Sequence, residues 1–133
     1  MKNWLGQDIL PGSVVYRGAR DGNSSSYKVG AVQTIKANKV RVDWKYTYTS
    51  LWEHVDRGAK NYDGSTRLDR DFVAYVPWKI HSGGSPGIDS LIALPNYDLV
   101  RLDAIYALVQ EWNDRKDTNP MTKEEFLDRM NRL

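Results

Sequence analysis

The sequence predicts a mainly β protein, in which a small β-barrel occupies the first half and two amphipathic helices follow it. Three observations favour this fold class: strict alternation of apolar and polar residues from Val40 to Tyr46, a glycine (Gly30) inside the preceding strand, and helix-capping patterns late in the chain. At 133 residues, the chain is long enough to bury a hydrophobic core without disulfide or metal support.

Three β-rich segments separated by turn signals make up the predicted start of the barrel. Pro11-Gly12 precedes the first, 27–35 is the second, and the turn after it lets Asn38 take a left-handed conformation. Gly30 predicts a bulge or bend that coils the sheet. The third segment has period-two alternation, which predicts one buried face carrying Val40, Val42, Trp44 and Tyr46.

The segment 47–64 is predicted to be an insertion in the barrel. Ser50 and Glu53 form a capping-box pattern, which predicts one or two helical turns between 50 and 57. Asn61–Gly64 predicts a loop, and strand composition returns after it.

Residues 82–87 (Ser-Gly-Gly-Ser-Pro-Gly) have the composition of a linker. We therefore expect the barrel with its insertion to occupy 1–81, the linker 82–87, and a helical extension packed on the barrel 88–133. Within the extension, the apolar run 88–94 is a strand or a single helical segment, and periodicity does not decide between them.

Two amphipathic helices are predicted in the extension. Asn96 or Asp98 can cap the first helix, which runs to about Lys116. Thr122 and Glu125 form a capping box that begins a second, short helix. The first helix carries an apolar stripe that we expect to be buried against the barrel, with self-association as the alternative: Leu99, Leu102, Ile105, Val109 and Trp112.

The opening segments resemble a known fold. Pro11-Gly12, Val14, Tyr16, Val29-Gly30-x-Val32 and Val40-x-Val42-x-Trp44 resemble the first strands of SH3-like small barrels of the KOW and Tudor type, over about residues 9–76. In length and style the chain is also similar to small uncharacterised proteins encoded by actinobacterial phages. That resemblance implies a protein that acts in an infected host's cytoplasm and binds host protein or nucleic acid.

The amino-acid composition excludes several kinds of chemistry. The chain has no cysteine, which excludes disulfides, thiol nucleophiles and cysteine zinc sites. Its N-terminus lacks the apolar stretch of a signal peptide, and no apolar run approaches the length of a membrane span, so we expect a soluble, cytoplasmic protein. Lysine and arginine exceed aspartate and glutamate by ten to five in residues 1–60, whereas residues 61–133 carry nine against twelve.

Catalytic chemistry is not predicted. The two histidines, His54 and His81, lack metal-ligand spacing, and Ser82 lies in a glycine-rich segment without a nucleophile elbow. Asp69 and Asp71 fit a solvated strand edge better than an acid–base pair. We expect a non-enzymatic protein with no cofactor and no metal.

A protein partner is the leading functional prediction. Five tryptophans and eight tyrosines are many for a chain of this length, and these residue types are enriched at protein interfaces. Aromatic residues outside the clean alternation are the predicted contacts: Trp4, Trp52, Tyr62 and Trp78. The sequence does not indicate the oligomeric state.

Nucleic-acid binding is the alternative prediction. Basic side chains on the first three strands could neutralise phosphates while interleaved tyrosines stack on bases. Two features argue against it: Trp44 and Tyr46 share the predicted core face, and Asp43 interrupts the basic outer face. The basic residues concerned are Arg17, Arg20, Lys28, Lys36, Lys39, Arg41 and Lys45.

Overall fold

The computed structural model describes the backbone of residues 1–21, 24–84 and 86–133, and the side chains of 1–18, 27–80 and 86–133. Its strands are β1 (Val14–Asp21), β2 (Ser24–Lys36), β3 (Lys39–Lys60), β4 (Thr66–Gly84) and β5 (Ile92–Ala93), and its helices are α1 (Leu99–Arg115) and α2 (Lys123–Asn131). The strands form one antiparallel sheet in the order β4-β3-β2-β1-β5.

The mainly β architecture with two C-terminal helices is confirmed, but the sheet is open rather than a closed barrel. Strands β4 and β5 are its two edges, and no pairing joins them within the described backbone. Closure fails because β5 has only two residues and pairs with Val15 and Tyr16 of β1, while β4 pairs with β3 over nearly its whole length. Pro77 lies within edge strand β4, opposite Tyr48, in the kind of edge position where a missing N–H is tolerated.

The helical turns predicted between 50 and 57 are wrong. Strand β3 continues without interruption to Lys60, and its outer half pairs with β4, for example Trp52 with Phe72 and Asp56 with Leu68. A local capping-box pattern contributes about 1 kcal/mol, so a ladder of cross-strand bonds with a strongly β-forming partner overrides it. The predicted insertion 47–64 is therefore the outer part of the β3–β4 hairpin, closed by the predicted loop at Asn61–Gly64.

The first three residues of the segment 82–87, which was predicted to be a linker, continue the sheet. Ser82, Gly83 and Gly84 belong to β4 and pair with Trp44, Asp43 and Val42 of β3. The ambiguous run 88–94 forms a 3₁₀ turn at Ile88–Ser90 followed by β5.

A bulge at Gly30 redirects β3. Gly30 pairs with Trp44 and Val29 pairs with Tyr46, so Lys45 is the extra residue of a β-bulge, as the glycine predicted. Because neighbouring residues of β2 point to opposite faces, Tyr46 lies on the face opposite Trp44, which corrects the alternation read from the sequence. In the turn before β3, the left-handed residue is Ala37 (φ 53°) rather than Asn38.

Two hydrophobic clusters divide the core. The first lies against β1–β3 and comprises Ile9, Val15, Val32, Val40, Val42, Trp44, Ile88, Leu91 and Ala93. The second joins the β3–β4 hairpin to the helices and comprises Leu51, Val73, Ala74, Val76, Leu108, Val109, Trp112, Met121 and Phe126. The predicted burial of the α1 stripe is confirmed for Ile105, Val109 and Trp112.

The predicted helix starts are confirmed. The Asp98 carboxylate accepts a hydrogen bond from the backbone N–H of Val100, and the Thr122 hydroxyl accepts one from that of Glu125. Glu111 of α1 joins the helices, because its carboxylate accepts hydrogen bonds from the guanidinium groups of both Arg115 and Arg129. These guanidinium groups hold the pKa of Glu111 below its usual value, the Arg129 hydrogen bond being the largest cause.

The substitution Gly30→Ala tests the close approach at the bulge. A Cβ at Gly30 would lie 2.4 Å from the carbonyl oxygen of Asp43 and 2.8 Å from the Cα of Trp44, so the backbone would have to move. We expect a loss of about 1–3 kcal/mol in the free energy of unfolding, measured in urea by tryptophan fluorescence. The matched control is Gly18→Ala, whose Cβ would meet nothing closer than 3.5 Å and should cost little. Equal losses in both variants would contradict this account.

Glu111→Gln tests the link between the helices. The pKa of Glu111 is lowered on folding, so its contribution to stability is present above the unfolded pKa and is lost as pH falls through the folded pKa. We expect the variant to be less stable than the parent at pH 7, and the difference to shrink as the pH falls below the unfolded pKa of Glu111 and through the lower folded one. Asp114→Asn, an exposed change on the same helix, should cause no loss. A Glu111→Gln deficit that persists unchanged at low pH would contradict the ionic role.

Candidate binding surface

Six aromatic rings contact one another in an unbroken row across β1–β4. The row, called the aromatic ladder below, runs through Tyr16, Tyr27, Tyr48, Tyr75, Phe72 and Trp52. Centroids of successive rings are 4.9–6.4 Å apart, within the range of favourable aromatic pairs.

Strand register places the whole ladder on one face of the sheet, opposite the first hydrophobic cluster. On β3, Tyr48 and Trp52 follow Tyr46 at even spacing and so share its face. Tyr16 pairs with Val29, the partner of Tyr46, and therefore lies on that face as well. Across the sheet, Tyr27 faces Gly18, whose missing side chain leaves room for the tyrosine ring.

Phe72 and Tyr75, which sequence reasoning did not single out, join this face through a second irregularity. Leu51 pairs with Ala74 and Trp52 with Phe72, so Val73 is an extra residue in β4. An odd spacing of three residues would ordinarily put Phe72 and Tyr75 on opposite faces. The extra residue restores them to one face, and simple alternation in the sequence could not have indicated this.

The ladder is accessible to a partner. Five of its rings are 37–65 % exposed, with Tyr75 the most exposed, and Tyr16 is half-buried. Its outer end is covered by Arg70, whose guanidinium lies 4.9 Å from the centre of the Trp52 ring. A contiguous exposed patch of large apolar side chains is typical of an interaction site.

The four predicted protein contacts are all exposed but do not form one cluster. Trp52 belongs to the ladder through its ring contact with Phe72. Trp4 lies in the N-terminal turn and is 68 % exposed, and Tyr62 lies fully exposed in the β3–β4 turn. Trp78 packs instead on Tyr106 of α1.

The predicted basic residues separate into groups. Lys36 pairs with Lys39 and Thr34 with Arg41, on the face opposite Val40 and Val42, which is the face of the ladder. These three cations are exposed, and no carboxylate lies within 4.0 Å of them among the side chains that the structure describes. The other predicted basic residues lie elsewhere. Lys45 forms an ion pair with Asp43 at 2.7 Å, and Arg17 and Lys28 are cross-strand partners on the other face. The Arg20 side chain lies outside the described residues.

Two grooves border the ladder. A groove of about 360 Å³ separates its tyrosines from α1, where Tyr97 and Arg101 line the helical side. A larger one of about 590 Å³ lies between the outer hairpin and the α1–α2 connection, and Trp52 and Trp112 both line it. The exposed row of rings is therefore bordered by concave surface on the side of the helices.

The two carboxylates considered for acid–base chemistry lie at a charged strand edge. Asp69 and Asp71 both contact the Arg57 guanidinium, as expected of a charged strand edge. Within the described side chains, no group of three or more metal-binding residues is close enough to hold an ion. The side chains of His81 and Ser82 lie outside the described residues.

Comparisons with known proteins add no relationship. No known protein family, curated protein or solved structure matches this chain. Of the helices in the described part of the chain, none has the length and apolar character needed to cross a membrane.

Tyr46→Phe tests how the ladder face is joined to α1. The Tyr46 hydroxyl donates a hydrogen bond to the Asp103 carboxylate, and burial, followed by this bond, raises the pKa of Tyr46 well above its usual value. We expect a loss of about 1 kcal/mol in unfolding free energy at pH 7. Because the folded pKa of Tyr46 is raised, the contribution of its hydroxyl to the free energy of unfolding is present below pH 10. It falls at higher pH, where the tyrosine of the unfolded chain ionises. Urea unfolding at pH 7 and pH 10.5 measures both effects.

The control for this variant is Tyr62→Phe, since Tyr62 is fully exposed in a turn. It should leave the free energy of unfolding unchanged at both pH values. Equal stability of Tyr46→Phe and the parent protein would show that the hydroxyl contributes nothing.

Proposed function

We propose that this protein is a non-enzymatic binding module that engages a partner protein through the aromatic ladder. The observation that carries the proposal is the row of six contacting rings on one sheet face, five of them well exposed. Folding alone gives no reason to keep so much aromatic surface in water. Covering it with another protein supplies that reason.

The ladder has the composition of an interface hot spot. Tyrosine, tryptophan and arginine dominate the binding energy of protein interfaces, and here Arg70 is stacked on Trp52 at one end of the tyrosine row. The rings are held by a sheet and by one another, so little side-chain freedom remains to be lost on binding. This preorganisation favours affinity without requiring a large buried area.

Ring geometry favours protein over nucleic acid as the partner. Four of the five ring pairs meet edge to face, with interplanar angles of 61–87°. Bases stack on open ring faces, and edge-to-face packing covers part of them. Apolar side chains of a protein can pack against such a row without stacking on open ring faces.

The nucleic-acid alternative retains one supporting observation, the cluster of Lys36, Lys39 and Arg41 on the ladder face. If phosphates bind there, a twenty-nucleotide oligothymidylate will bind in fluorescence anisotropy measurements, and its affinity will fall steeply as the salt concentration rises. Absence of binding in 50 mM salt would remove this alternative.

The source of the partner follows from the resemblance to phage proteins. On that basis we propose that the module acts in the cytoplasm of an infected bacterium and that its partner is a host protein. The identity of the captured protein tests this directly.

Tyr75→Ala is the central test of the proposed function. The parent protein and its variants are immobilised, exposed to extract of the source cells, and compared by quantitative mass spectrometry. A protein retained by the parent is then purified and its affinity measured by calorimetry. We expect Tyr75→Ala to weaken binding at least tenfold, because an exposed hot-spot tyrosine contributes more than about 1.4 kcal/mol.

The matched control is Tyr62→Ala, which removes a tyrosine that lies outside the ladder and is more exposed than Tyr75. It should bind as the parent does, and circular dichroism should show both variants folded. A partner whose affinity falls equally in both variants, or in neither, would contradict the ladder as the binding surface.

A further inference from the structure

We infer that the partner segment bound by the ladder continues along β2 and β3 and carries acidic side chains to Lys36, Lys39 and Arg41. The inference rests on the proposed function, because it names the chemistry of the partner that the ladder binds. The positive charge of Lys36, Lys39 and Arg41, which no carboxylate within 4.0 Å compensates among the described side chains, supports it.

The three cations lie together on one face of the sheet. By contrast, five arginines of the outer hairpin and the helices each have a carboxylate partner: Arg57, Arg67, Arg115, Arg129 and Arg132. No such partner lies within 4.0 Å of Lys36, Lys39 or Arg41 among the described side chains. Positive charge is therefore left available at one end of the ladder face.

Strand register brings these charges together at an energetic disadvantage. Lys36 and Lys39 are direct cross-strand partners, and Arg41 follows Lys39 by two residues on the same face. Like charges directly opposite each other destabilise a strand pair. Carboxylates of a partner would relieve this repulsion and gain charge-assisted hydrogen bonds.

The distance between the two regions fits one extended segment. Arg41 pairs with Thr34, which lies seven residues along β2 from Tyr27. At about 3.3 Å per residue this separation is roughly 23 Å, the length of about seven extended residues. Between them, Lys45 lies 2.7 Å from the carboxylate of Asp43 and offsets its charge.

The segment is therefore expected to be a peptide of about ten residues, apolar or aromatic at one end and acidic at the other. A display library of random twelve-residue peptides, selected on the parent protein, provides the probe. Enriched peptides should show this asymmetry. Their affinity, measured by anisotropy, should fall at least tenfold in the variant Lys36→Glu/Lys39→Glu/Arg41→Glu and severalfold between 50 and 300 mM salt.

A control of equal charge change is Arg17→Glu/Lys28→Glu/Lys123→Glu, which alters two cations on the other face of the sheet and one in α2. It should bind the selected peptides within about twofold of the parent, since long-range effects are screened by salt. A loss as large in this variant as in the first would show that net charge, rather than the cluster, governs binding.

The remaining outcomes separate this inference from the proposed function. Peptides that depend on Tyr75 but carry no acidic bias would overturn the inference and leave the proposed function supported. Failure to enrich any peptide that depends on Tyr75 would overturn both. Salt-dependent binding of oligothymidylate that the Lys36/Lys39/Arg41 variant abolishes would instead assign the cluster to nucleic acid.

Discussion

The antiparallel pairing of β3 with β4 is the constraint on which the rest of the structure depends. Strand β3 is 22 residues long and β4 is 19, so the hairpin projects well beyond the part of the sheet that β1 and β2 share. The same pairing supplies the strand side of the second hydrophobic cluster, against which both helices pack. It also brings Tyr48, Trp52, Phe72 and Tyr75 into one row. The second hydrophobic cluster and the aromatic ladder thus depend on one register.

Two single-residue bulges determine which side chains of that pairing form the aromatic ladder. The bulge at Lys45 moves β3 from filling the first cluster, through Trp44, to presenting Tyr48 on the opposite face. On β4, the extra residue Val73 likewise changes which face the following side chains occupy, and it brings Phe72 and Tyr75 to the same face. Such local irregularities interrupt the regular pairing of a sheet, and here they decide which aromatic rings lie on the same face.

Much of the local structure was predictable because its signals are short-range. The caps at Asp98 and Thr122, the loop at Asn61–Gly64 and the bulge at Gly30 each depend on a few neighbouring residues. The candidate surface was predictable only in part, since Trp52 was identified while Phe72 and Tyr75 were not. Their positions depend on register between strands twenty residues apart, which a single sequence does not reveal. The local capping pattern at Ser50 was misleading for the same reason, because the decisive interaction is long-range.

The proline in the middle of β4 has a consequence for the protein in a crowded cell. An open sheet with an exposed row of aromatic rings invites further strands to add at its free edge, the first step toward fibrous aggregates. Pro77 lies in this edge strand opposite Tyr48, and a proline on an edge strand disfavours the addition of further strands. The chain can thereby keep an aromatic face exposed to solvent while limiting the strand-by-strand assembly that an open sheet edge promotes.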